Sequence, residues 1–147
     1  MDGQGAGIAV NLTLETVIQH ANEKDVHTGE AEGTLYKKGD STYLRYSEVI
    51  EGAGSVNNVI KMNHEGIVIL RSGSVTMRQK FLIGQTTQGM YDTPYGQLWM
   101  ETTTHQMSFR WNQQVKKGDL TLNYGLVLQG EDTGRYTIKI KFQEAEA

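Results

Sequence analysis

The chain has 147 residues, a formal net charge of −3, a pI near 5.8, and 37% apolar against 21% charged residues. That is the length of one domain with a core of its own, and it is neither a disordered nor a membrane composition. No run approaches the roughly 18 uninterrupted apolar residues of a spanning helix, no basic excess favours nucleic acid, and the lack of cysteine excludes disulfides and thiol chemistry.

Residues 1–7 carry neither the basic nor the apolar region of a secretory signal and are expected to form a flexible tail on a single domain spanning 1–147. With no cysteine, a reducing compartment fits, so the expected address is the cytoplasm. From Ile8 the chain alternates with period two: Ile8, Val10, Leu12, Leu14, Thr16 and Ile18 share one face. Only a strand puts every second residue on one side. Residues 21–29 are the longest polar connection, read as disordered or as a short helix. Alternation returns at Leu44, Tyr46, Glu48, Ile50, then at Val56, Asn58, Ile60, Met62. Ile67 to Leu70 runs apolar without alternation, which needs cover on both faces, from this chain or from a partner. Met77, Gln79, Phe81 and Ile83 resume the pattern, and Thr93-Pro94-Tyr95-Gly96 suits a type I turn.

Between Gly96 and Trp111 the apolar phase is even at Leu98 and Met100 but odd at Met107, Phe109 and Trp111. Such a slip needs an extra residue, so a β-bulge is predicted within residues 102–106. It reads as a barrel corner in preference to a site. Leu120 to Leu128 and Tyr136 to Phe142 complete the set of alternating strands. Lys37-Lys38-Gly39-Asp40, His64-Glu65-Gly66, Arg71-Ser72-Gly73-Ser74, Lys116-Lys117-Gly118-Asp119 and Asp132-Thr133-Gly134-Arg135 each offer a glycine for a hairpin turn.

About ten strands joined by short loops must be mainly antiparallel neighbours. Closure removes the two exposed edges of such a meander, so the expected fold is all-β, a single antiparallel up-and-down β-barrel. A two-sheet sandwich is the alternative.

No nucleophile elbow, phosphate loop, dinucleotide fingerprint or metalloprotease helix is present, so no catalytic residue and no cofactor are assigned. His20, His27, His64 and His105 are scattered without ligand-like spacing, and no metal is assigned. Glu48 lies in phase with Leu44, Tyr46 and Ile50, and an inward carboxylate must be paired or protonated. Arg71, in phase with Ile67 and Ile69, is its candidate partner. The pair reads as an anchor for a ligand head group, as a structural ion pair near one mouth, or as two solvated residues at strand ends. Tyr46, Tyr91, Tyr95, Trp99, Trp111, Tyr124 and Tyr136 could line a cavity, with Tyr91 and Tyr95 flanking the Pro94 turn. The candidate ligand-binding residues are therefore Tyr46, Glu48, Arg71, Tyr91, Tyr95, Trp111 and Tyr124. Arg78, Lys80, Arg135, Lys139 and Lys141 read as a solvated outer face, because aromatic residues do not interleave with them as single-strand binders require.

The stretches Arg71-Ser72-Gly73-Ser74-Val75-Thr76-Met77-Arg78-Gln79-Lys80-Phe81, Gly89-Met90-Tyr91-Asp92-Thr93-Pro94-Tyr95-Gly96 and Lys117-Gly118-Asp119-Leu120-Thr121-Leu122-Asn123-Tyr124 carry a resemblance. With Tyr43 to Glu48 and Gly134 to Ile138, they make the chain similar to the YwiB-like family of small bacterial proteins from about residue 8 to 144. The resemblance implies a calycin, lipocalin-like barrel inside a bacterial cell. It implies no activity, since the family is a domain of unknown function, and it supplies no site residues.

Three functions compete. The first is a protein that binds a small apolar or amphipathic ligand in the barrel without catalysis. The second is a homodimer or scaffold acting through its outer surface, and the third an enzyme of unidentified class. No membrane and no nucleic acid are expected as partners.

Overall fold

The structure, a computed structural model, describes residues 7–52 and 54–146. The expected tail therefore lies outside the described residues, except for Gly7. Ten strands follow one another: β1 (Ile8–His20), β2 (Glu23–Lys38), β3 (Ser41–Ile50), β4 (Gly54–Asn63), β5 (Gly66–Gly73), β6 (Thr76–Phe81), β7 (Thr86–Thr93), β8 (Gly96–Asn112), β9 (Lys117–Leu128) and β10 (Glu131–Glu144). Each pairs antiparallel with the next, and β10 returns to β1, so the sheet closes into a barrel. The closing seam pairs Leu12 with Phe142, Leu14 with Ile140 and Thr16 with Ile138. Closure pairs the two ends of the meander with each other and leaves β2 unpaired on its β3 side only from Glu23 to Glu32.

The inward set is the one that alternation marks. Leu44, Val56, Ile60, Phe81, Leu120, Leu122 and Ile140 are at most 1% exposed, so the waist of the barrel is filled by side chains. Each such residue contributes roughly 1.5–3 kcal/mol of burial. In the run Ile67 to Leu70 the alternation exists after all. Ile67 and Ile69 are buried, Val68 is half-buried and Leu70 is 37% exposed on the outer face.

The predicted bulge falls between Thr104 and Gln106, leaving His105 as the extra residue. Before it β8 pairs with both β7 and β9; beyond it, β8 pairs with β9 alone among the described residues. The slip turns Met107, Phe109 and Trp111 onto the inner side, where Met107 and Phe109 share a hollow of about 300 Å³ with Thr42, Met62 and Ile67.

Three expectations need correction. Residues 21–29 are neither disordered nor helical: the turn is Ala21-Asn22, and β2 begins at Glu23. Residues 23–30 are all exposed, so this strand has no apolar face to show as alternation. The second Lys-Lys-Gly-Asp is not a turn, since Lys116 carries the positive φ (56°) and Gly118 lies inside β9. Gly118 is required there for space, because a Cβ would come within 2.6 Å of the Phe142 ring. Asp132-Thr133-Gly134 is a bulge within β10 rather than the hairpin turn, which is Gln129-Gly130.

Candidate functional site

The two ends of the barrel differ in chemistry. The β2–β3, β4–β5, β6–β7 and β8–β9 connections lie at one end, with the first residues of β1 and the last of β10. This terminal end is apolar inside. Phe142 stacks between Phe109 (centroids 6.0 Å apart) and Trp111 (5.9 Å), the latter reached across side-chain-free Gly118. The Trp111 indole N–H donates to Gln113 Oε1 at 2.9 Å.

The other five turns define the hairpin end, and there the interior becomes polar. On β3, Tyr46 is buried and Glu48 half-buried; on β4, Asn58 is fully buried; on β5, Arg71 is half-buried. Register explains their meeting: Asn58 lies directly opposite Tyr46 on one side and Arg71 on the other. Asn58 Nδ2 donates to Glu48 Oε2 at 2.6 Å. Further round the wall, Gln79 donates to Thr102 Oγ1 at 3.0 Å, and both are buried. Tyr124 stacks on Tyr136 at 5.2 Å and meets Phe81 edge-on at 4.9 Å.

Burial pushes the hydroxyls of Tyr46 and Tyr124 well above the ordinary tyrosine range. Glu48 adds to the rise at Tyr46 and Tyr136 adds to it at Tyr124, while Arg71 pulls both down. The guanidinium of Arg71 therefore acts on tyrosines from β3 and from β9, two separate parts of the wall.

The cluster is incompletely paired. Asn58 Oδ1, Arg71 Nε and Thr104 Oγ1 are buried and have no hydrogen-bond partner among the described residues. The expected Glu48–Arg71 ion pair does not form, because Asn58 stands between their strands and takes the carboxylate. Among the described residues the ion pair is Arg110–Asp119, on the outer surface at 2.9 Å. A buried donor or acceptor left unpaired costs about 1–3 kcal/mol, so three together make this end a poor place to look for stability.

A lateral gap lies beside the cluster. β2 and β3 pair only from Gly33–Tyr46 to Lys38–Ser41, so β2 from Glu23 to Glu32 parts from Ser47 to Ile50 of β3. Glu48 sits on the β3 side of that fork.

Of the residues singled out from the sequence, Tyr46, Glu48, Arg71 and Tyr124 come together at this end. Tyr91, half-buried, pairs with Met77 and Leu98. Tyr95 is 88% exposed at the Pro94 turn, Trp99 is 60% exposed, and Trp111 belongs to the opposite end. Sequence reasoning missed Asn58, Gln79, Thr102 and Thr104. The signal existed for the first two, which are polar residues in the apolar phase of their strands, as Glu48 is.

Elsewhere, a broad concavity of about 1430 Å³ crosses β8, β9, β10, β1 and β2 near the terminal end. Arg110, Lys117 and Lys141 line it on one side, and Glu30 and Glu32 on the other. No group of three or more His, Cys, Asp or Glu residues that could hold a metal ion occurs among the described residues, and no helix is long and apolar enough to cross a membrane.

Known proteins agree with this architecture. The uncharacterised β-barrel protein YwiB of Bacillus subtilis (strain 168) is 25% identical over 134 residues, covering 91% of this chain and 92% of its own. The crystal structure of the ywiB protein from Bacillus subtilis superposes with a TM-score of 0.88 at 23% identity, over 98% of this chain and 96% of that one. The family described as a domain of unknown function (DUF1934) matches residues 12–140, and the chain belongs to it.

Proposed function

We propose that the protein is a non-catalytic binding barrel that takes a small amphipathic molecule by its polar head at the hairpin end. The observation that carries this reading is the incompletely paired cluster: Arg71 Nε as a donor, Asn58 Oδ1 as an acceptor, and a cation with no carboxylate within ion-pair distance among the described residues. A head group that accepts from Arg71 and donates to Asn58 would relieve both atoms at once, as a primary amide does. Tyr46 and Tyr124, both buried and uncharged, add hydroxyls that donate without competing charge. A wholly apolar ligand is not carried forward, because the waist is filled. The gap between β2 and β3, beside Glu48, is the approach.

The same reading places the barrel among the calycin, lipocalin-like proteins and in the cytoplasm. Its supports are the antiparallel up-and-down closure and the absence of cysteine.

The test is native mass spectrometry on untagged protein taken from its own cells, beside the denatured mass. The expected result is extra mass that disappears on denaturation and is reduced in Arg71→Met. The bare chain mass, or simple multiples of it, would overturn the proposal.

A further inference from the structure

The fork that opens the barrel wall also leaves a strand edge without a neighbour. From Glu23 to Glu32, β2 has β1 on one side and no strand on the other among the described residues. Its ladder with β1 runs unbroken from Ile8–Leu35 to His20–Glu23, and it contains no proline and no bulge. Ten residues of strand at about 3.3 Å each give an edge on the order of 33 Å long. Unpaired backbone groups along such an edge are a template for another strand.

The charges on that edge select its occupant. Glu23, Asp25, Glu30 and Glu32 oppose a generic acidic or neutral strand, and Lys24 is the single cation. Laid antiparallel on its own copy about a two-fold axis at His27, the edge becomes complementary. Lys24 of each chain then faces Glu30 of the other, Asp25 faces Gly29, Val26 faces Thr28, and Glu23 faces Ala31. No two acids meet.

We propose that β2, from Glu23 to Ala31, pairs in this register with the same strand of a second copy of the chain. This goes beyond the ligand reading and does not depend on it. Such an interface is isologous, so it consumes the edge and stops at a dimer instead of growing into fibres. The fork limits the register, because β2 is taken up by β3 from Gly33 onward and only the Glu23 half is open. Val26, 53% exposed in the single chain, gains cover from the partner strand. Self-pairing also accounts for a long edge with one lysine and no proline: the charge pattern disfavours acidic strands while matching its own copy.

The test is sedimentation equilibrium of the full chain over a dilution series, with charge-reversal variants at exposed positions that leave the barrel core untouched. The wild type is expected to dimerise reversibly. Lys24→Glu and Glu30→Lys each set like charges opposite one another twice per dimer, which weakens association about tenfold. The double variant Lys24→Glu/Glu30→Lys is expected to restore it. Slower hydrogen exchange at residues 23–31 on concentration is the matching local signal. A monomer throughout the series, a dimer indifferent to both reversals, or rescue by Glu32→Lys in place of Glu30→Lys would overturn the proposal.

Discussion

The terminal end and the hairpin end of this barrel are built from the same strands, yet they are stabilised differently. At the terminal end Phe109, Trp111 and Phe142 stack with near-parallel planes, and Leu12, Leu120 and Ile140 leave almost no exposed surface. At the hairpin end the same inward positions hold Glu48, Asn58, Arg71, Gln79 and two high-pKa tyrosines, with three buried atoms unpaired. Stability is concentrated where side chains are apolar and interlock. Chemistry is concentrated where burial is retained but pairing is left unfinished.

Substitutions can break that comparison. The largest expected effect is at the stack: Phe142→Ala removes a 2% exposed ring that contacts two other aromatics, at a cost of about 3–5 kcal/mol in urea unfolding. A loss under about 1 kcal/mol would mean that the terminal end is not the anchor. Next comes Gly118→Ala, whose Cβ would meet the Arg110 carbonyl oxygen at 2.5 Å and the Phe142 ring at 2.6 Å; overpacking of this kind costs about 1–3 kcal/mol. Combined with Phe142→Ala only the part of that cost owed to the ring is expected to disappear, because the Arg110 carbonyl oxygen still stands 2.5 Å from the new Cβ.

The smallest effect sharpens the other end. A tyrosine whose folded pKa is raised keeps its proton after the unfolded chain has begun to lose its own near 10.0. Stability from Tyr46 and Tyr124 is therefore complete below pH 10 and declines above it, by about 1 kcal/mol each at pH 11. Unfolding of wild type and Tyr124→Phe at pH 9 and pH 11 measures this. The variant should lose less stability over that interval, and equal losses would place the tyrosine in water.

Much of the fold was legible because burial on one face writes itself as alternation. β3, β4, β6, β9 and β10 carry it plainly, and the phase change between Met100 and Met107 located the His105 bulge. β2 was illegible over Glu23 to Glu30 because neither face is buried, so a strand there looks like a polar loop. Gly118 was misread because a glycine that makes room for Phe142 looks, in one dimension, like a glycine that makes a turn. In the site, Glu48 and Arg71 declared themselves as charges in an apolar phase. Asn58 and Gln79 gave the same signal more faintly, since amides are common on outer faces. Thr102 and Thr104 gave none, because threonine suits either face of a strand. The Glu48–Arg71 pairing failed for a topological reason: β4 lies between their strands, and its register places Asn58 where the two would have met.

The most direct test of the division between the two ends is Arg71→Met, measured both for unfolding free energy and for bound mass in native spectrometry. A cation kept for binding should be dispensable to the fold, so stability is expected to stay unchanged or rise by about 1 kcal/mol, with the bound mass lost. A variant destabilised by about 3 kcal/mol or more, with its bound mass intact, would make Arg71 a structural residue and contradict the account.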